Sequence, residues 1–277
     1  LEQARQKRKE LESFTVLDVR DAEHKAELLK EADAAMARVK LGCDLLVGVR
    51  LLGLKSAEQE SMLSHLLWDY AAGLPMDSPD AQRALNAARK ERAFHWPFEF
   101  PEVFAAEGRG GFNAFVGNPP FLGGKRISFR HGEVYYSFIK NMLNNTPQTT
   151  DLCVYFMSKS YHFSRTPACI GLILSDIISQ GDSRENGLEY LLQQNIHIIF
   201  AKKSANWPGQ AGVKIAQINL WKGNWIGHRT LEDQEVDNIN SFLQCNKEDL
   251  TPCELVNNKD KCFSGHYLMN QDFVVTA

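Results

Sequence analysis

No stretch of this 277-residue sequence approaches the roughly 18 to 20 consecutive apolar residues that a bilayer-spanning helix needs. The richest runs, at 169–174 and 196–201, have the length of a strand. A membrane protein is therefore not expected. An excess of one charge is also lacking: 31 Lys and Arg stand against 34 Asp and Glu, a formal net charge of -3. There is no global basic field, so any grip on nucleic acid must come from local patches or from parts beyond this chain. The cysteines, at 43, 153, 169, 245, 253 and 262, include no C-x-x-C pair. That pattern suits a reducing interior better than a disulfide scaffold and predicts a cytoplasmic location. The charged N-terminus LEQARQKRKELES does not begin with Met and leads into no apolar leader core. The expectation is a piece cut from something larger, without a signal peptide. What remains, 44% hydrophobic and 23% charged residues, describes an ordinary soluble globular protein.

Helical periodicity dominates residues 1–93. Leu28, Leu29, Ala32, Met36 and Val39 recur at helical spacing behind Asp21 as a cap. A second helix is predicted from Ser56, with Gln59 completing a capping box, as far as Gly73; a third has Ser78 as N-cap and Pro79 at its first position. At 95–104, HWPFEFPEVF, two prolines among aromatic rings argue against a regular helix and predict an extended, packed connector and a subdomain boundary. From Gly111 onward the pattern is α/β: FNAFVG, helical stretches at 135–143 and 152–164, ACIGLILS, a helix at 188–194, IHIIFA and VKIAQINLW. The last two strands are joined without a helix, so they should pair antiparallel, the final one over 213–221. One more helix is expected over 231–243. The organisation predicted is 1–93 as a helical insertion, 94–225 as a catalytic half, and 226–277 as the start of a linker or recognition region.

The residues that carry chemistry are Asn118-Pro119-Pro120-Phe121, directly after the apolar run 112–116. They form a tight loop at the carboxyl end of a strand, where open α/β sheets place their sites. Successive prolines restrict the backbone and lack N–H donors, leaving carbonyls beside the Asn118 side-chain oxygen as pre-set acceptors. A primary amine fits that acceptor pair, and Phe121 adds a flat apolar face. A planar ring with an exocyclic amino group, adenine or cytosine, would satisfy all of these features. The plainer alternative is a rigid turn with Phe121 packed in the core.

GGFNAFVGNPPFLGGKRIS, with HWPFEFPEVF before it and DLCVYFMSKSYHF, GLILSDIISQGDSRENGL and NWPGQAGVKIAQINLWKG after it, resembles the large DNA adenine methyltransferases of type II restriction-modification enzymes. The resemblance covers about residues 15–225. It implies an α/β fold: part of a class I, Rossmann-like methyltransferase sheet with an antiparallel last strand, preceded by a helical insertion. It also implies S-adenosylmethionine as methyl donor and double-stranded DNA as partner. Asn118 and Pro119 would accept hydrogen bonds from the adenine amino group, with Pro120 completing the loop and Phe121 stacking on the flipped base. Such enzymes hold the donor on a Gly-rich turn after the first sheet strand. Gly108-Arg109-Gly110-Gly111 leads into a strand instead, and the expectation is that the true turn lies N-terminal to Leu1, in the remainder of the parent polypeptide.

Secondary candidates are Trp207 of Trp207-Pro208-Gly209, as a second wall of the base pocket, and the basic run Lys125, Arg126, Arg130 and His131, which could track a phosphate backbone. Packing of a turn and solvated charge are the respective alternatives. Lys202 and Lys203 could extend the basic run. Asp176 sits at a strand end but is read as a turn former. Cys245, Cys253, Cys262 and His266 match none of the usual zinc spacings, and no metal is expected. His162 and His197 are read as histidines flanking the core. Two other functions compete with the methyltransferase: a catalytically silent DNA-binding or structural module, and a protein glutamine methyltransferase, whose substrate amide also suits an N-P-P loop.

Overall fold

The computed structural model of the protein describes residues 2–104, 110–143, 149–208 and 212–245. Its first third is helical: α1 (Glu2–Ser13), α2 (Val19–Arg50), α3 (Ser56–Ala71) and α4 (Pro79–Lys90). Helix α2 starts one turn earlier than its apolar spacing suggests. Asp18 is the N-cap, accepting from the Asp21 backbone N–H, while the Asp21 carboxylate takes the Asp18 N–H, a reciprocal box that satisfies two orphan donors. The predicted box at Ser56 is not formed. Lys55 occupies the N-cap without a side-chain bond, and the Ser56 hydroxyl turns to Glu60 instead. Ser78 caps α4 as predicted, through Ala81 N at 3.3 Å. Leu45, Val49, Leu66, Ala84 and Leu85 form the helical core. At Gly48 any Cβ would overlap the Ala84 carbonyl, so glycine lets α2 and α4 approach this closely.

The connector is not extended. It forms two single helical turns, α5 (Trp96–Glu99) and α6 (Pro101–Phe104), each with proline in its first turn, where a missing N–H costs nothing. Its aromatic character is used for packing: Trp96 lies 5.7 Å from Phe112, 6.0 Å from Phe115 and 5.8 Å from Phe163. Polar contacts bind the helical layer to the same segment. Lys40 pairs with Glu99 at 2.7 Å, Arg8 donates to the Glu99 carbonyl, and His95 meets Asp44 at 2.8 Å.

The remainder is α/β. In chain order it has β1 (Phe112–Gly117), α7 (Gly124–His131), α8 (Glu133–Asn141), α9 (Leu152–Phe163), β2 (Ser164–Ser175), β3 (Ile196–Asn206), β4 (Lys214–Lys222), β5 (Arg229–Leu231) and β6 (Gln234–Val236). Between β2 and β3 the chain runs through a 3-10 turn, Asp176–Ser179, and a π-helical turn, Arg184–Glu189. The strand order is β1-β2-β4-β3-β5-β6, with β1 parallel to β2 and β4 antiparallel to both β2 and β3. The predicted antiparallel pair is therefore present. Its second strand fills the gap between β2 and β3, which run in the same direction because both oppose β4.

The predicted helix over 231–243 is absent. Residues 229–236 form a hairpin whose first strand pairs with β3, Phe200 opposite Thr230 and Ala201 opposite Leu231. Glu232 and Asp233 at φ 50 and 64 make its two-residue turn. The open edge of β3 offers unpaired backbone groups, and pairing with them outweighs the weak helical period of this stretch. Arg184, 2% exposed, fastens the segment that follows. It pairs with Glu189 at 2.9 Å, donates to Ser241 and lies 4.2 Å from the centre of the Phe242 ring.

The core lies between one sheet face and α9 with the π turn. Ile170, Leu172 and Leu174 of β2 and Ile218 and Leu220 of β4 pack with Val154, Met157 and Leu188. Among the described residues no helix is long and apolar enough to cross a membrane.

Candidate functional site

Among the described residues β1 is an edge strand, and its carboxyl end delivers the Asn118-Pro119-Pro120-Phe121 loop. Within the loop the four residues divide sharply: Asn118 and Pro120 are exposed, Pro119 is buried, and Phe121 is half-buried against the core cluster. The packed Phe121 ring therefore both anchors the loop and leaves part of its surface free.

Behind the loop lies a clamp absent from the sequence reading. Asp151, 3% exposed, is the N-cap of α9. Its carboxylate oxygen accepts from Cys153 N at 2.9 Å and from Leu122 N at 3.4 Å, while Leu152 N donates to the Leu122 carbonyl at 2.9 Å. Ser183 in turn accepts from the Asp151 N–H at 3.0 Å. One carboxylate thus ties the residue after Phe121 to the start of α9. An Asp directly before an apolar helical stretch is an N-cap signal that could have found it. Beside it, burial and the Asp151 charge push the Cys153 thiol well above the ordinary thiol range.

Asn118 and Gly117 line a shallow concavity of about 560 Å3 together with Ala114, Val116, Gly171 and Asn219. This is the sheet face opposite α9. Its wall is apolar except for the carboxamides of Asn118, Gln217 and Asn219, and the one titratable group on it is the Cys169 thiol, raised by burial. The described residues therefore offer neutral acceptors at this place and no carboxylate or imidazole to act as a general base.

The other candidates are scattered. Lys125, Arg126, Arg130 and His131 fall on α7, three residues beyond the loop, all exposed. Trp207 follows β3 and is half-exposed, its backbone N–H donating to the Val213 carbonyl at 3.0 Å. It stands at the same end of the sheet as Asn118 but three strand positions away in the order β1-β2-β4-β3. It is not part of the concavity wall. Asp176 opens the 3-10 turn after β2, and its carboxylate accepts from the Ser204 hydroxyl at the end of β3, where Ser204 has φ 57 beside a bulge. Lys202 is paired with Asp233 at 2.7 Å, and Lys203 donates to the Phe242 carbonyl, so neither extends the basic run of α7. His162 and His197 both have lowered pKa values, first through desolvation and then through nearby cations; His197 is half-buried, as a place flanking the core requires, whereas His162 is exposed by its surface area. Cys253, Cys262 and His266 lie outside the described residues.

Binding of S-adenosylmethionine would call for a Gly-rich turn from a strand into a helix. Among the described residues no strand precedes β1, and Gly110 and Gly111 enter that strand directly. The described residues do not form such a cradle.

No curated protein matches the chain. Among solved structures, the chain is similar to the Type IIL restriction-modification enzyme MmeI, solved in complex with DNA, with 20% sequence identity and a TM-score of 0.42. The match covers 50% of this chain and 20% of that enzyme, so the chain spans about a fifth of its length. At the level of sequence, residues 53–205, more than half of the 277, match the model of the Eco57I restriction-modification methylases, a stretch that holds α3, α4, the aromatic connector and the whole Asn118-Pro119-Pro120-Phe121 loop. The chain belongs to the Eco57I restriction-modification methylase family.

Proposed function

We propose that this chain is the acceptor-binding part of a cytoplasmic DNA methyltransferase that moves a methyl group from S-adenosylmethionine to the exocyclic amino group of adenine in duplex DNA. Residues 1–93 serve as its helical insertion, 94–225 as its catalytic half, and 226–277 begin a linker or target-recognition region. The observation that carries the reading is the Asn118-Pro119-Pro120-Phe121 loop, exposed at Asn118 and clamped from behind by Asp151, at the carboxyl end of an edge strand.

Adenine's amino lone pair is delocalised into the ring, which makes the nitrogen a poor nucleophile. The Asn118 side-chain oxygen and the Pro119 carbonyl hold its two hydrogens and favour a more tetrahedral nitrogen aimed at the donor. Neutral acceptors suffice for this, in keeping with a wall that offers no side-chain base. The base must first leave the stack, at a cost of a few kcal/mol, partly offset by about 1 to 3 kcal/mol of stacking on the free surface of Phe121. S-adenosylmethionine supplies the electrophilic methyl group and is held by residues elsewhere in the full-length protein.

Asn118→Ala in the full-length protein tests the assignment. Methylation of adenine should fall by around 10² to 10³ while duplex affinity, which comes chiefly from phosphate contacts, stays nearly unchanged. Full activity of that variant would make the loop a packed turn and the reading wrong. For the 277-residue chain by itself, the lack of a donor cradle among the described residues favours binding without turnover. Calorimetric titration should find weak S-adenosylmethionine affinity, and micromolar binding would overturn that second reading.

A further inference from the structure

Helix α7 carries an aromatic ring that the fold does not use. On its eight residues, Gly124 and Ile127 face inward, while Lys125, Arg126, Phe129 and Arg130 are exposed, Phe129 to 93%. With 3.6 residues per turn the four exposed side chains share an arc of about 140°, and Phe129 projects between Lys125 and Arg126 within it. No described residue forms an ion pair with Lys125, Arg126 or Arg130. Three cations within two turns, without an ion-pair partner among the described residues, repel one another, and an exposed phenyl ring forgoes burial, so this face adds nothing to the stability of the described fold. Both penalties are relieved against a polyanion that also presents flat apolar faces. Nucleic acid has this pairing: phosphates for the cations and an unstacked base for the ring.

We infer that α7 is a nucleic-acid contact in which Phe129 stacks on a base exposed where the duplex has opened, while Lys125, Arg126 and Arg130 hold the flanking phosphates. The inference rests on the reading of this chain as part of a DNA methyltransferase and adds to it a second aromatic, outside the Asn118 loop. Phe121 takes the target base; Phe129, beyond a linker of only two residues between Phe121 and α7, takes a neighbouring or partner base left without its stack. The ring thereby opposes reclosure of the duplex.

Binding measurements separate this from the methylation reading, because they require neither turnover nor the recognition sequence. A fluorescein-labelled mixed-sequence duplex and the same duplex with a short mismatched bubble are titrated with the full-length protein by anisotropy. The wild type should prefer the bubble. Phe129→Ala should lower bubble affinity roughly tenfold or more and leave affinity for the paired duplex and its salt dependence unchanged, and Phe129→Trp should restore the preference. Arg126→Ala should weaken both forms and reduce the slope of log affinity against log salt by about one. An unchanged bubble preference in Phe129→Ala overturns the inference even where Asn118→Ala abolishes methylation. A fall in the melting temperature of Phe129→Ala with no change in DNA binding also overturns it, since the ring would then be covered by another part of the polypeptide. Intact bubble discrimination in a protein that methylates no adenine would overturn the methylation reading and leave the stacking contact standing.

Discussion

The two faces of the sheet are built to different rules. On the face toward α9, every second residue of β2 and β4 is buried: Ile170, Leu172 and Leu174 of β2 and Ile218 and Leu220 of β4 are at most 7% exposed. On the other face the same strands present Gly171, Ile173, Gln217 and Asn219, and Val116 of β1 is 91% exposed. Parallel sheets are ordinarily covered on both faces. Here the burial alternates with period two, as in a sheet with one wet side, and Asn118 lines the side that the described residues leave open. The contrast teaches that the packed core and the concavity lined by Asn118 are separated across one layer of backbone. The packed face fixes where the strands end, and the open face holds what those ends display.

Substitution on the sealed face should cost the most. Leu174→Ala removes a fully buried side chain and should destabilise the chain by about 2 to 5 kcal/mol in urea unfolding. A loss under about 1 kcal/mol would mean that the core collapses around the gap and that the two faces differ less than their burial implies. The clamp between the faces comes next. Asp151→Ala leaves the Leu122 and Cys153 N–H groups without their acceptor and should cost about 1 to 3 kcal/mol, with faster hydrogen exchange at Leu122 as the specific sign. Asp151→Asn keeps an acceptor and should recover most of the loss. On the open face, Val116→Thr should change stability by less than about 0.5 kcal/mol. A larger loss in the full-length protein than in the 277-residue chain would reveal that this face is covered there. The smallest effect is chemical: at neutral pH the exposed Cys245 should react with a thiol reagent before Cys153, which is both buried and pushed well above the ordinary thiol range. Equal rates in the native chain would show that the sealed face opens readily.

Much of this arrangement can be read from residue pattern. Ser78 followed by Pro79 marks a helix start because a hydroxyl can take an orphan N–H and proline lacks one to satisfy. The strand at β4 and its antiparallel sense follow from a connection too poor in helical pattern to cross the sheet. The Asn118-Pro119-Pro120-Phe121 loop stands out because two prolines after Asn118 are costly anywhere but a fixed turn. Other features escape such reasoning. Ser56 and Gln59 satisfy the local pattern of a capping box, yet Ser56 has Glu60 within reach and the cap falls on Lys55. The sequence at 229–236 lacks an Asn-Gly turn signal, and it becomes a hairpin because β3 has an edge to pair with. Asp151 reads locally as a helix cap; that its carboxylate also takes Leu122 N depends on a contact 29 residues away in sequence.

Local chemistry therefore determined the α/β alternation, the helical first third and the position of Asn118-Pro119-Pro120-Phe121 at a strand end, because each depends on propensity, period or backbone restriction within a few residues. Tertiary structure alone decided that β4 enters between β2 and β3, that Trp207 stands apart from the wall around Asn118, and that Phe129 is left bare among cations. Those outcomes depend on which faces and edges remain after distant segments have packed, and burial of that kind is a property of the assembled layers.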